Sequence, residues 1–288
     1  DLGDYENDVV TFTAPNEFTI LTFTLEVINN FGNSHVDYVT VQVGELGIYD
    51  IQYTSDQGSG EDCYPSEFLG SSVNVTGVVT AVKTSSKPTF YIQDPNINEW
   101  SGVFVYFQDE MDPLAIGDLV NLDAIVEEYY GFTEIKNPTN INVLSQNNSL
   151  APIVLNTGDI GLTCSESAEK YEGMFVKFEN AVVETVETVP IDYDNDGVVD
   201  FYDTSYFIND NSGTAKLNDY MFNYYDDCGW PTLSVGDQLG FVEGVIGYSG
   251  CSTCESQFVM YPADRSSFSG LNPCAVEVCN DGVDNDGD

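Results

Sequence analysis

The sequence is poor in cationic side chains. Its 288 residues contain 7 Lys and Arg against 48 Asp and Glu, and the formal net charge at pH 7 is −41. Nucleic-acid binding depends largely on Lys and Arg that neutralise phosphates, so this charge disfavours nucleic acid as a partner. It also disfavours anionic membrane surfaces and attracts divalent cations. Because 42% of the residues are hydrophobic and 13% are aromatic, the charge belongs to folded domains.

Long apolar runs and catalytic histidine sets are also missing. No run of about 18 apolar residues occurs, so we expect no membrane insertion. The single histidine, His35, supports no Ser-His-Asp or Cys-His arrangement. Glu127 and Glu128 are adjacent in a predicted strand, where neighbours point to opposite faces, which argues against a glycosidase pair. We predict that the chain is not an enzyme.

The seven cysteines favour disulfide bonds over a zinc site. Cys251 and Cys254 have the spacing of zinc ligands, but the nearest further pair, Cys274 and Cys279, does not. Disulfides persist in oxidising compartments, so we expect an extracellular or cell-surface protein. The sequence begins without an initiator Met and ends within an Asp/Asn/Gly run. We expect it to be a segment of a longer secreted protein.

Alternation of apolar and polar residues dominates the chain and predicts an all-β fold. Near the start, residues 22–27 and 38–43 alternate as two strands around a turn at residues 29–33, after a short strand at residues 9–13. This pattern resembles the C-terminal half of an immunoglobulin-like repeat of bacterial surface proteins. The resemblance implies a partial immunoglobulin-like domain over residues 1–46.

An internal repeat organises the rest of the chain. Residues 70–75 recur as 173–178, and the second copy is 13 residues longer before its next matched element. The other matches pair residues 90–94 with 206–210 and residues 114–118 with 233–237. Each copy supplies about five strands, and the Gly-Asp turns at 117–118 and 236–237 suit a sharply bent backbone. We predict two tandem OB-like barrels, one over residues 47–150 and one over residues 151–270.

These elements resemble the OB-type module that accompanies the catalytic domain of bacterial extracellular nucleases and occurs in other large secreted proteins. The matching segments are residues 77–80, 90–94, 117–118, 171–173, 244–245 and 261–264. The resemblance implies no catalytic residues, because in those nucleases the chemistry lies in a separate domain.

The extra residues of the second copy have the spacing of a calcium loop. Oxygen ligands fall at loop positions 1, 3, 5, 7, 9 and 12, with Gly197 at position 6 to allow the turn. The predicted calcium ligands are Asp192, Asp194, Asp196, the carbonyl of Val198, Asp200 and Asp203. Position 12 is Asp where a bidentate Glu is usual. An acidic surface turn is the alternative.

A second acidic cluster closes the chain over residues 271–288. It resembles the Cys-Asn-Asp-Gly calcium repeats of secreted bacterial stalks, and the resemblance implies ligands at Asp281, Asp284, Asp286 and Asp288. The alternative is a disordered acidic terminus. Calcium is the one cofactor that we expect.

We therefore predict a structural or adhesive segment of a large secreted or cell-surface protein, an adhesin or an extracellular filament, stabilised by calcium and disulfides. Its partners would be neighbouring domains of the same chain, with a homo-oligomer or filament left open. The alternative is an accessory nucleic-acid- or polysaccharide-binding module of a secreted nuclease. A carbohydrate-binding module would need aromatic side chains exposed on one barrel face, and the candidates are Tyr91, Trp100, Tyr106, Phe107, Tyr129, Tyr130, Tyr224, Tyr225 and Trp230.

Overall fold

The computed structural model confirms the all-β fold class. It describes residues 12–13, 19–43, 46–59, 62–83, 88–107, 114–192, 197–222, 229–251 and 254–269. The chain divides into two compact units, Asp1–Leu46 and Gly47–Asp288.

The first unit contains an antiparallel hairpin of strands β1 (Thr19–Ile28) and β2 (Ser34–Val43). Asn29 builds the turn, because its side-chain oxygen accepts the amides of Phe31 and Asn33 at 2.9 and 3.0 Å. Phe23 lies opposite Val39 on one face of the hairpin. Such an apolar face fits one layer of a sandwich, and the immunoglobulin-like assignment stays a prediction. The predicted short strand at residues 9–13 lies largely outside the described residues.

The second unit begins with α1 (Ile48–Gln52) and continues into a closed five-stranded barrel. Around the barrel the strands follow the order β3-β4-β5-β7-β6, in which β5 and β7 are parallel and the other neighbours antiparallel. This is the strand order of an OB barrel. The strands of this first ring are β3 (Ser72–Lys83), β4 (Thr89–Gln93), β5 (Gly102–Tyr106), β6 (Leu119–Tyr129) and β7 (Phe132–Ser145).

The second copy follows the same order. Strand β9 pairs with β10 and β12, β10 with β11, β12 with β13, and the parallel pair β11–β13 joins the ring at Leu217 and Met260. A further strand, β8 (Ile153–Leu155), adds in parallel to β9. The strands of this second ring are β9 (Phe175–Ile191), β10 (Phe201–Asn209), β11 (Thr214–Leu217), β12 (Gln238–Cys251) and β13 (Cys254–Tyr261). The predicted tandem OB-like rings are confirmed.

The Gly-Asp turns make equivalent hydrogen bonds in the two rings. In the first ring the amide of Gly117 donates to the Val79 carbonyl, and the amide of Val79 donates to the Asp118 carbonyl. In the second ring Gly236 donates to Val183, and Val183 donates to Asp237. Both glycines have a positive φ, +90° and +95°. Glycine adopts this conformation without a steric penalty, which is why the Gly-Asp signature recurs in the sequence.

Strands β4 and β5 are buried on both faces. Phe90 and Ile92 alternate with Tyr91 along β4, and all three are almost inaccessible to solvent. The side of β4 and β5 that carries Tyr91 and Phe104 belongs to a hydrophobic cluster that includes second-ring residues. The second ring therefore covers the outer face of β4 and β5.

Helices are short and confined to the connections between strands. They are α1 (Ile48–Gln52), α2 (Thr157–Ile160), α3 (Glu166–Glu169) and a 3₁₀ turn at Arg265–Ser267. Among the described residues, none of the helices has the length and apolar character to cross a membrane.

Candidate functional site

The predicted calcium loop connects β9 to β10. Asp192 lies at its start, and its carboxylate accepts the amide of Gly197 at 2.9 Å. Gly197 has φ +87°, the conformation that a glycine at the sixth position of such a loop provides. Val198 is exposed, and the amide of Asp200 donates to the Ile191 carbonyl at 2.7 Å. The Asp192–Gly197 hydrogen bond and the positive φ of Gly197 are the two described features that fit a calcium loop.

Asp203, the predicted ligand at position 12, lies in β10 opposite Val189. Its Oδ1 accepts a hydrogen bond from Asn218 Nδ2 at 2.9 Å. A role as calcium ligand would therefore compete with this bond or share the carboxylate with it. Asp194 and Asp196 lie outside the described residues.

The C-terminal cluster of Asp281, Asp284, Asp286 and Asp288 also lies outside the described residues. Within the part of the chain that the structure describes, no group of three or more His, Cys, Asp or Glu side chains has the arrangement of a metal site. Calcium therefore stays a proposal that rests on the loop spacing and on the Asp192–Gly197 turn.

The two rings meet at a pair of glycines. Gly102 begins β5 of the first ring, and Gly173 lies just before β9 of the second. A Cβ added to Gly102 would lie 2.2 Å from the carbonyl carbon of Gly173, and one added to Gly173 would lie 2.5 Å from that of Gly102. Only residues without a side chain permit this backbone approach.

Hydrogen bonds and a disulfide surround this contact, which we name the joint. The amide of Trp100 donates to the Lys170 carbonyl at 2.6 Å, and the amide of Phe175 donates to Gln93 Oε1 at 2.8 Å. Both bonds cross from one ring to the other. A disulfide joins Cys63, before the first ring, to Cys164, before the second, with a Cα–Cα distance of 5.7 Å.

Three carboxyl groups lie beside the joint, of which Glu169 and Glu172 are buried and Glu128 is half-buried. Glu172 Oε1 accepts the amide of Thr133 at 3.1 Å, and Glu128 accepts the amide of Ser66 at 2.8 Å and the Thr133 hydroxyl at 2.7 Å. Glu169 Oε2 lies 3.1 Å from Cys63 Sγ. Within the described residues each of the three carboxyls has one oxygen without a hydrogen-bond partner.

Burial raises the pKa of all three carboxyls. For Glu169 and Glu172 the pKa lies well above the ordinary value, because burial disfavours the charged form and the neighbouring acids repel it. Burial raises the pKa of Glu128 as well, although its hydrogen bonds from Ser66 and Thr133 oppose the shift. Since a disulfide sulfur carries no hydrogen, the Glu169 carboxyl is the donor in its contact with Cys63. Burial therefore disfavours the charged form of all three acids, most strongly that of Glu169 and Glu172.

A pocket of about 490 Å³ opens between the rings next to this cluster. The first ring contributes residues of β4, β5, β7 and the end of β6, and the second contributes residues of β12, β13 and the segment after β11. Six tyrosines line it: Tyr91, Tyr106, Tyr129, Tyr220, Tyr248 and Tyr261. The remaining walls include Phe104, Phe132 and Glu134. We name this the tyrosine pocket.

Glu134 is the acid in the tyrosine pocket. It lies on β7 opposite Phe104 of β5 and Glu127 of β6, and it is 5% exposed. Burial, followed by repulsion from Glu127, raises the pKa of Glu134 to about 8, although the nearby Lys136 lowers it. Lys136 itself forms a salt bridge with Glu127. Glu134 is therefore mostly uncharged at neutral pH.

Gly247 shapes the base of the tyrosine pocket. A Cβ at this position would lie 2.4 Å from a ring carbon of Tyr261 and 3.0 Å from the Tyr91 hydroxyl. The missing side chain lets these two tyrosines, one from each ring, approach β12. Their rings and hydroxyls then lie at the boundary between the rings.

Of the nine aromatic candidates predicted from the sequence, Phe107 and Tyr130 are half-buried and do not line the tyrosine pocket, and the other seven separate into three groups. Tyr91, Tyr106 and Tyr129 line the tyrosine pocket. Trp100 packs against Tyr53 and Tyr64, and Trp230 packs among Tyr206, Phe222 and Phe268, so both belong to the packed interior. Tyr224 and Tyr225 lie outside the described residues.

Sequence reasoning missed the second-ring half of the pocket, Tyr220, Tyr248 and Tyr261. Tyr248 and Tyr261 alternate with glycine or apolar residues in β12 and β13, as ordinary core positions do. The one available signal was Gly247 and Gly250 flanking Tyr248, because glycine within a strand marks a close approach.

Comparisons with known proteins add little. No family model matches the chain, and no curated protein matches it. Among solved structures, a murine DNA-binding protein bound with double-stranded DNA aligns over 66% of this chain and 95% of its own. The sequences are 13% identical and the TM-score is 0.27. A similarity this weak carries no argument about fold or function.

Proposed function

We propose that the chain is a structural or adhesive segment of a large secreted or cell-surface protein, stabilised by disulfide bonding and calcium. The joint is the observation that carries this proposal. Gly102 and Gly173 bring the backbones of the two rings together, and the hydrogen bonds beside them cross from ring to ring. A fixed connection between successive domains is what a load-bearing or extended segment requires.

The disulfide supports a location outside the cell. Cys63 and Cys164 are 101 residues apart in sequence and connect the segments that precede the two rings. Disulfides persist in oxidising compartments. Closing a loop of this length lowers the entropy of the unfolded chain and so raises its free energy by about 4–5 kcal/mol. The bond therefore stabilises the segments that precede the two rings.

Nucleic-acid binding, part of the alternative function, has less support. The outer face of β4 and β5, where OB barrels bind oligonucleotides, is packed against the second ring through Tyr91 and Phe104. The net charge of −41 adds repulsion between the protein and phosphate. The polysaccharide part of the alternative depends on the tyrosine pocket.

Single-molecule force spectroscopy on the oxidised chain in calcium tests the proposal. Because the Cys63–Cys164 bond encloses the first ring, it carries the tension past that ring, and in the oxidised chain we expect one rupture event that releases the second ring alone. In the Cys63→Ala/Cys164→Ala variant the force acts on both rings, and we expect them to rupture together because the joint connects them. Two separate low-force events in that variant would contradict a load-bearing segment.

The compartment is tested separately by thiol alkylation of the protein isolated without reductant. Cys63 and Cys164 should be blocked by their bond and react only after reduction. Quantitative alkylation of both thiols before reduction would contradict an extracellular location.

A further inference from the structure

The tyrosine pocket is a built cavity and not a chance gap between surfaces. It lies at a joint where two glycines bring the ring backbones into contact, and a third glycine, Gly247, makes room for Tyr261 and Tyr91. Its volume of about 490 Å³ falls in the range of small-molecule sites, about 300–1,000 Å³. It is open to solvent where Tyr129 and Tyr220 are 56% and 39% exposed.

The lining combines flat apolar rings with neutral hydroxyls. Tyr91 packs 4.9 Å from Phe104, and Tyr220 packs 5.4 Å from Tyr261, as measured between ring centroids. Burial raises the pKa of Tyr91 and of Tyr261 above its ordinary value, and neighbouring tyrosines add to the shift, although a hydrogen bond with Ser249 opposes it at Tyr261. These phenols therefore stay protonated, and each can both donate and accept a hydrogen bond.

The charges around the pocket exclude an anionic ligand. None of its described lining residues is Lys, Arg or His, and Glu134 is the one acid among them. Lys83 is close, but its Nζ lies 3.6 Å from the centre of the Tyr220 ring and forms a cation–π contact with that ring. A phosphate or carboxylate would meet no cation in the pocket and would face the negative field of the protein.

A permanently cationic ligand fits less well than a neutral one. Glu134, the sole acid of the lining, is mostly uncharged at neutral pH, so it supplies no fixed counter-charge. The phenol hydroxyls offer hydrogen bonds that a quaternary ammonium group cannot accept or donate. The ligand that uses both the rings and the hydroxyls is neutral, has an apolar face, and carries several hydroxyl groups.

A sugar ring has this combination, with C–H groups on its faces and hydroxyls around its edge. We propose that the tyrosine pocket binds a neutral saccharide, with Tyr129 and Tyr220 contacting its ring and Glu134 hydrogen-bonding its hydroxyls. The first ring supplies residues of β4, β5, β7 and the end of β6, and the second ring supplies the rest of the lining, so both rings are needed to form the site. The proposal does not depend on the load-bearing function.

Isothermal titration calorimetry with defined oligosaccharides tests the proposal on the full oxidised chain. The neutral probes are hexasaccharides of β-glucan, mannan, xylan and chitin, together with a galactan fragment. The comparison probes are a polygalacturonate fragment, a 20-base single-stranded DNA and tetramethylammonium. We expect at least one neutral probe to bind with a dissociation constant in the micromolar to millimolar range.

Two variants locate the binding. Tyr129→Ala and Tyr220→Ala truncate partly exposed rings and should each weaken binding by about tenfold or more. Tyr202→Ala is the matched control, because Tyr202 is an exposed tyrosine of β10 that does not line the pocket. It should bind as the unaltered chain does. Tyr220→Phe keeps the ring, so its affinity should lie between those of Tyr220→Ala and the unaltered chain.

Four results would overturn the proposal. They are no binding by any neutral probe, binding that Tyr129→Ala and Tyr220→Ala leave unchanged, preferential binding of the anionic probes, and preferential binding of tetramethylammonium that Tyr220→Ala abolishes. Thermal unfolding of each variant checks that it folds. A variant that does not fold is replaced by Tyr220→Phe or Tyr129→Phe, for which a partial weakening of saccharide binding in a folded chain is the supporting result and unchanged affinity counts against the proposal.

Discussion

Two of the described acids have a pKa well above its ordinary value because they are deeply buried, although the protein as a whole is strongly acidic. Glu169 and Glu172 are 1% and 0% exposed and lie at the joint, where burial and mutual repulsion raise the pKa of both. A carboxylate without a counter-ion in such surroundings takes up a proton, because desolvation of the charge costs more than protonation. The joint is therefore sensitive to alkaline conditions.

Glu134, the acid in the tyrosine pocket, offers a test of sensitivity to alkaline conditions. Its folded-state pKa of about 8 lies above the ordinary 4.5, so the folded chain holds this proton more tightly than the unfolded chain. The free energy of unfolding should therefore fall as pH rises from about 4.5 through 8. We predict that Glu134→Gln, which cannot ionise, is more stable than the unaltered chain by roughly 1–3 kcal/mol at pH 9.

Urea denaturation at pH 5, 7 and 9 measures the effect. Glu187→Gln is the control, because it makes the same chemical change at an exposed position of β9. An equal pH dependence in Glu134→Gln and in the unaltered chain would show that Glu134 does not titrate as stated.

Gly173 tests the contact between the rings. Its counterpart in the first copy is Gly70, and both have a positive φ, +73° and +79°. A Cβ on Gly70 would meet nothing within 4 Å, whereas one on Gly173 would collide with Gly102 and Val103. We predict that Gly173→Ala is less stable than Gly70→Ala by about 3 kcal/mol, because both carry the backbone strain and only one carries the clash.

Chemical denaturation of the two variants side by side gives this difference. Equal losses of stability would mean that the backbones of Gly102 and Gly173 do not approach each other as described.

The β9–β10 hairpin is the element in which the two copies differ most. Strand β9 has 17 residues against 12 for β3, and the calcium-loop sequence follows it. One carboxylate oxygen of Asp192 already accepts a hydrogen bond from the amide of Gly197. Calcium would neutralise the remaining carboxylates of the loop and so hold the end of the hairpin together.

We predict that calcium at a hundredfold excess over its dissociation constant stabilises the chain by about 2.7 kcal/mol. Asp194→Ala combined with Asp196→Ala should remove this gain. Calorimetry in calcium and in chelator measures it. Glu179→Ala combined with Glu187→Ala is the control, because it removes two charges from exposed positions of β9 outside the loop. If chelation leaves the melting of the chain unchanged, the loop is an acidic surface turn and the calcium prediction is wrong.

At the scale of the whole molecule, charge and packing act in the same direction. The net charge of −41 repels phosphate, and the second ring covers the outer face of β4 and β5. We predict no appreciable DNA binding at physiological salt. A mobility-shift titration that gave binding tighter than about 1 μM, weakening steeply with salt, would contradict this. A basic OB-fold protein run on the same gel serves as the positive control.

The two OB-like rings could be predicted because their signals are local and occur twice. The alternation of β6 and the Gly-Asp turns at Gly117 and Gly236 each reflect a few neighbouring residues, whose burial or positive φ the sequence reports directly. The single-copy hairpin at residues 19–43 was found by the same alternation. The loop spacing after β9 likewise marks a candidate site without any tertiary information.

The amino-acid sequence by itself determined the all-β class, the duplicated ring and the acidic surface, because these follow from period, repetition and composition. Only the tertiary structure decided that Tyr91 and Tyr261, 170 positions apart, line the same pocket and that Glu134 loses its charge there. The physical reason is that ring-on-ring packing depends on backbone approach at Gly102, Gly173 and Gly247. A glycine in a sequence permits such a close approach, but the tertiary fold decides which residue packs against it.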